Sequence, residues 1–137
     1  MLIQAPISVG ELLDKITILA IKVDTLRRTG ESAAPATNAG HELYLLVDLA
    51  TASSISLSGP AFRELRRINE ELWALEDYVR RTPLKSELAE TARAIARLND
   101  RRAAIKRQIN EQYGSEIVEE KVYASGASAP DGERVTS

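Results

Sequence analysis

Cysteine is absent from this 137-residue chain, and histidine, tryptophan and phenylalanine occur once each. Without cysteine there is no disulfide framework and no thiolate metal site, and nothing points to secretion. The single histidine, His41, supplies neither a catalytic triad nor a metal site by itself, and it reads as a surface or capping residue. No apolar run approaches the roughly twenty residues of a membrane span. The opening MLIQAPISVGELLDK also lacks the basic stretch and long apolar core of a signal peptide. Charge of one sign is missing too. Eighteen Lys and Arg against 20 Asp and Glu leave a net charge of -2, which argues against a general nucleic-acid binder. There is no glycine-rich phosphate loop, no nucleophile with an adjacent base and no zinc-ligand spacing. We expect no cofactor and no metal, no membrane contact, and a cytoplasmic location.

What the chain has is helical periodicity. Ser8-Val9-Gly10-Glu11 is a capping box, in which hydroxyl and carboxylate satisfy backbone donors reciprocally. Ile7 and Leu12 then occupy the positions of a hydrophobic staple. Leu12, Ile16, Leu19, Val23 and Leu26 alternate steps of four and three, the seam spacing of a bundle, and Leu13, Ile18 and Ile21 widen it. This predicts a helix over residues 9–28, buried on more than one side and stopped by Gly30. Residues 30–38 read as a connection in which Pro35 blocks a continuous helix.

A second helix over 39–52 carries Leu43, Leu46, Val47 and Ala50 on one face, with a short strand as the alternative. After a loop at 53–60, Pro60 starts a third helix to Arg81, with the stripe Ala61, Leu65, Ile68, Leu72, Leu75 and Val79. Thr82-Pro83 turns the chain into a fourth helix, whose stripe is Leu88, Ala92, Ile95, Leu98, Ile105 and Ile109. Gly114 is its stop. Residues 115–121 should form one more short helix or a strand and fold back over that end. The polar tail from Ala124 should be disordered. The fold class is all-α: a four-helix bundle in one domain, residues 1–123, with a short C-terminal extension and a tail, 124–137.

The pieces PISVGELLDKITILAIK, NEELW, LNDRRAAIKRQIN and GSEIVEEKVY resemble a family of small bacterial proteins known only as a domain of unknown function. The resemblance spans roughly residues 3–123 and departs from the family in a shorter connection at Thr82-Pro83. It implies a helical bacterial cytoplasmic protein, and no activity or catalytic residue.

The chemistry concentrates on the fourth helix. Asn99, Arg102 and Lys106 lie at i, i+3 and i+7, one row beside the apolar stripe. Arg102 falls in the gap between Leu98 and Ile105, where a bundle normally places leucine. Burying such groups is costly without partners. One reading is a polar layer in which Arg102 pairs with Glu70, Glu76 or Asp77. The other is an anion pocket in which Arg102 and a solvent-facing Lys106 hold a phosphate or carboxylate and Asn99 orients it. Glu70, Trp73 and Lys15 are the further candidate ligand contacts, although Trp73 also suits core packing and Lys15 and Lys22 suit solvated flanks.

The function these residues suggest is a small binding or interaction protein, taking an anionic ligand or a protein partner, with homo-oligomerisation left open. The alternative is a small all-α enzyme. Nucleotide pyrophosphohydrolases of this type hold magnesium with paired acids, and Glu70-Glu71, Glu76-Asp77 and Glu87 with Glu90 lack their matched spacing. Chorismate mutases surround a dicarboxylate with cations and a glutamate, a set Arg102, Lys106 and Glu70 could supply.

Overall fold

The computed structural model describes residues 1–30, 33–81 and 85–122. The expected Thr82-Pro83 turn, Tyr123 and the tail from Ala124 lie outside them. Four helices follow in order: α1 (Val9–Thr29), α2 (Ala33–Ala52), α3 (Pro60–Arg81) and α4 (Lys85–Tyr113). They form an all-α four-helix bundle with α1 as its hub. The other three helices all pack on α1, and α3 and α4 also pack along each other. Among the described residues, the backbone of α2 approaches α1 alone.

The sequence of α1 explains that place. Leu12, Leu13, Ile16, Leu19, Ile21 and Val23 are all buried, so its apolar arc is wide enough to meet several neighbours. Across from it, Leu65, Ile68 and Leu72 of α3, Ile105 and Ile109 of α4 and Ala50 of α2 complete the core. Removing one fully buried side chain such as Leu13 or Leu65 is worth about 2–5 kcal/mol.

The helix ends follow local rules. Ser8 has extended backbone and its Oγ accepts a hydrogen bond from the Glu11 N–H at 3.1 Å. Gly30 and Gly114 end α1 and α4 with φ of 65° and 60°, the left-handed conformation that costs glycine least. Pro60 is the first residue of α3, where its missing N–H has no helical partner to lose.

Three expectations need correction. α2 begins at Ala33 and not near residue 39, because Pro35 falls in the first turn, where no intrahelical N–H bond is made anyway. In α4, Ala92 is exposed and Thr91 is buried, and burial deepens only toward Ile105 and Ile109. That end is where α1 comes closest. The Gly10 N–H donates to Asn110 Oδ1 at 2.6 Å, and a Cβ at Gly10 would stand 2.5 Å from the Lys106 carbonyl oxygen. Residues 115–122 form neither helix nor strand. Instead the segment folds back along α4 through side chains: Arg107 donates to Glu120 at 3.0 Å, Lys121 pairs with Asp100, and Ser115 Oγ accepts from the Val9 N–H at 3.3 Å.

Candidate functional site

The row Asn99, Arg102, Lys106 divides between two environments. Lys106 is not solvent-facing: it is 8% exposed, and its Nζ donates to Glu11 Oε2 at 2.6 Å and to Glu119 Oε2 at 2.9 Å. Asp14 Oδ2 lies 3.7 Å away. Burial by itself would lower the Lys106 pKa, but the bonds to Glu11 and Glu119 outweigh it and the net shift is upward. For Glu11, burial pushes upward, and the Lys106 hydrogen bond and charge carry the net shift down. Both groups are therefore held charged. Glu11 does not close the capping box with its carboxylate; that oxygen is turned to Lys106, a stronger, charged donor.

Arg102 pairs with none of Glu70, Glu76 or Asp77. Its Nε faces Asp14 Oδ1 at 3.9 Å, because α1 and not α3 supplies the acid at this level. Asp14 is 4% exposed and fully engaged: Asn69 Nδ2 donates to it at 2.8 Å and to Thr17 Oγ1 at 2.7 Å. The Thr17 hydroxyl in turn donates to the Asp14 carbonyl at 2.8 Å. Among the described residues no buried side-chain polar atom lacks a partner. The layer is closed.

Beyond it, toward the C-terminal end of α1, lies an open cleft of about 370 Å³ between α1, α3 and α4. Helical spacing builds its walls. Asn69, Trp73, Glu76 and Arg80 recur along α3 at steps of four, three and four, Ile18 and Lys22 stand one turn apart on α1, and Asn99 and Arg102 come from α4. Leu72 and Ile18 give the cleft apolar surface. Lys22, Arg80 and Asn99 make no hydrogen bond or ion pair among the described residues. The cleft therefore brings together three of the expected residues, Asn99, Arg102 and Trp73.

The other three go elsewhere. Lys106 belongs to the closed layer. Lys15 is exposed and stands 3.9 Å from Glu11. Glu70 turns to Arg66 at 3.0 Å on another face of α3, so the set Arg102, Lys106, Glu70 is not assembled. The acidic pairs scatter likewise, Glu71 meeting Arg67 and Asp77 meeting Arg81. Among the described residues no group of three or more His, Cys, Asp or Glu could hold a metal ion. His41 is exposed on α2. A smaller space of about 220 Å³ under residues 119–121 also touches Asn99, Arg102 and Lys106, but Glu119 and Glu120 already bring carboxylates to it.

With this geometry in hand, the chain can be placed. The profile of one family matches residues 3–135. The chain belongs to the family of unknown function DUF6165. No curated protein and no solved structure shows a significant match to it. Membership in DUF6165 agrees with the resemblance in the pieces quoted above and adds no reaction. Among the described residues no helix is long and apolar enough to cross a membrane.

Sequence reasoning missed Lys22 and Arg80 as cleft residues, Asp14 and Glu11 as partners of the row, and Asn69 as a partner of Asp14. Signals existed for some of them. Gly10, Asp14 and Thr17 form a small and polar row at steps of four and three beside the α1 stripe, and all three are buried. On α3, the row through Asn69, Trp73, Glu76 and Arg80 has the same spacing as the row through Arg66, Glu70, Trp73 and Asp77. Periodicity alone does not say which of the two faces inward.

Proposed function

We propose that this protein is a small binding protein that captures a phosphate- or carboxylate-bearing small molecule in the cleft beside Trp73. One observation carries the reading. Three cations, Lys22, Arg80 and Arg102, come from three different helices to one cleft whose lining, among the described residues, holds a single carboxylate, Glu76. Like charges brought together repel in the empty protein, and an anion relieves the repulsion while taking up uncommitted donors. Asn99 adds a carboxamide, and Trp73 and Leu72 add apolar surface, the usual mixture of a small-molecule pocket. A net charge of -2 favours a small anion over nucleic acid as the partner. The cysteine-free composition and the bacterial family resemblance support a bacterial cytoplasmic location.

Trp73 is the one tryptophan of the chain and lines this cleft, so its fluorescence reports on binding there. Titration with inorganic phosphate, sulfate and acetate should change that emission saturably and raise the melting temperature. Arg80→Gln should remove most of both responses. An emission and a melt that no anion changes would overturn the proposal.

A further inference from the structure

Trp73 and Lys22 border two spaces at once. Besides the cationic cleft they line a recess of about 570 Å³ between the last turns of α1 and the first turns of α2. Its other walls include Leu26, Thr29, Pro35 and Ala39, and among the described residues its charged group apart from the shared Lys22 is Glu42. A donor-rich cleft thus continues past the indole into a mostly apolar and hydroxyl-bearing recess.

We infer that the ligand is an organic phosphate monoester, with its phosphate among Lys22, Arg80 and Arg102. Its neutral, largely apolar body crosses Trp73 into the recess at α2. This rests on the anion-binding reading above and names the ligand class. Phosphate fits the cleft better than carboxylate. A carboxylate has two oxygens in one plane, and a single guanidinium already engages both in a bidentate pair. Here three cationic groups approach from α1, α3 and α4, as the three terminal oxygens of a monoester require. Asp14 stands on the Nε side of Arg102 at 3.9 Å, which leaves the terminal guanidinium nitrogens as donors. The balance on the lining is three cations to one carboxylate, and a monoester carries about -1.5 to -2 at neutral pH. A bare phosphate is too small for the space: cleft and recess each fall in the range of about 300–1,000 Å³ that holds whole organic ligands. The reading also gives the first turns of α2, which add only Ala39 to the buried set, a wall to build.

The test is calorimetry and Trp73 emission on the full chain with phenyl phosphate, inorganic phosphate and benzoate. Phenyl phosphate should bind at least tenfold tighter than either of the others. Thr29→Phe fills the recess at an exposed position that does not line the cationic cleft. Circular dichroism should show it folded, and it should bring phenyl phosphate down to the affinity of inorganic phosphate while leaving the latter unchanged. Equal binding of phenyl and inorganic phosphate overturns the body and the recess but leaves the anion reading standing. Equal binding of phenyl phosphate and benzoate overturns the phosphate class. No binding of any of the three removes the anion reading itself, and this inference with it.

Discussion

Lys106 and Arg80 are both cations that α3 and α4 bring to the inner edges of the bundle, and they meet opposite fates. Lys106 is enclosed by Glu11, Asp14 and Glu119, with every Nζ–oxygen distance at or below 3.7 Å. Arg80 borders a cleft and has no partner among the described residues. Close approach explains the contrast. At Gly10 the α1 backbone, bare of a side chain of its own, meets the Lys106 carbonyl and the Asn110 carboxamide of α4, which leaves little room for water, so the buried charges there need protein partners. Near Trp73 the helices leave a space, so charges stay hydrated and available. One end is a closed polar layer; the other holds the proposed site.

The largest effect should come from breaking the closed end. Lys106→Met leaves Glu11 and Asp14 as carboxylates without their ammonium, and loss of one partner of a buried pair costs about 3–5 kcal/mol. Glu11 keeps some solvent, with a side chain 25% exposed, so the low end, ~3 kcal/mol, is the expectation in urea unfolding. Arg102→Leu should cost less, about 1 kcal/mol, because its distance to Asp14 is that of a weak pair and its side chain is 31% exposed. Equal losses for the two variants would erase the distinction between the two ends.

Gly10→Ala comes next. The added Cβ would meet the Lys106 carbonyl oxygen at 2.5 Å and Asn110 Oδ1 at 2.9 Å, and the first of these is backbone that cannot rotate away. Separating α1 from α4 should cost about 2 kcal/mol and loosen the lysine layer. A stability equal to that of the parent chain would mean that the close approach is not what shuts this end.

The pH dependence of stability sharpens the same contrast. The folded Glu11 pKa is lowered, so its contribution is complete above its unfolded value of about 4.3 and drains as pH falls through the folded one. The folded Lys106 pKa is raised, so its contribution is complete below its unfolded value of about 10.4 and drains as pH rises through the folded one. Melting temperature should therefore hold a plateau between those limits and fall on both sides. In Lys106→Met both flanks should flatten.

Much of this was legible in the sequence, and the boundary is physical. The seams of α1 and α3, the stops at Gly30 and Gly114 and the start at Pro60 depend on residues a few positions apart, so spacing reveals them. α2 is longer than its sequence pattern suggests, because Pro35 sits at a position where the helix makes no N–H bond to lose. The row Asn99, Arg102, Lys106 was visible as an anomaly on a bundle face. Its partners were not, since Lys106 meets Glu11 across 95 positions. No local pattern encodes which helix stands opposite.

The smallest effect on stability is expected at the open end, where the largest effect on binding belongs. Arg80→Gln and Lys22→Gln remove exposed cations that have no partner among the described residues, so no buried group is orphaned and no cavity opens. Their stabilities should stay within about 0.5 kcal/mol of the parent. Because the two face one cleft with Arg102, relief of like-charge repulsion pushes any change upward, most visibly at low salt. With inorganic phosphate at a hundred times its dissociation constant, the parent should gain about 2.7 kcal/mol. Each variant should forfeit most of that gain. The two readouts must separate. A variant that melts like the parent and no longer responds to phosphate marks a site, whereas Lys106→Met should melt early with or without it. If Arg80→Gln and Lys22→Gln instead lose stability as Lys106→Met does, their cations are structural, and the contrast between the two ends disappears.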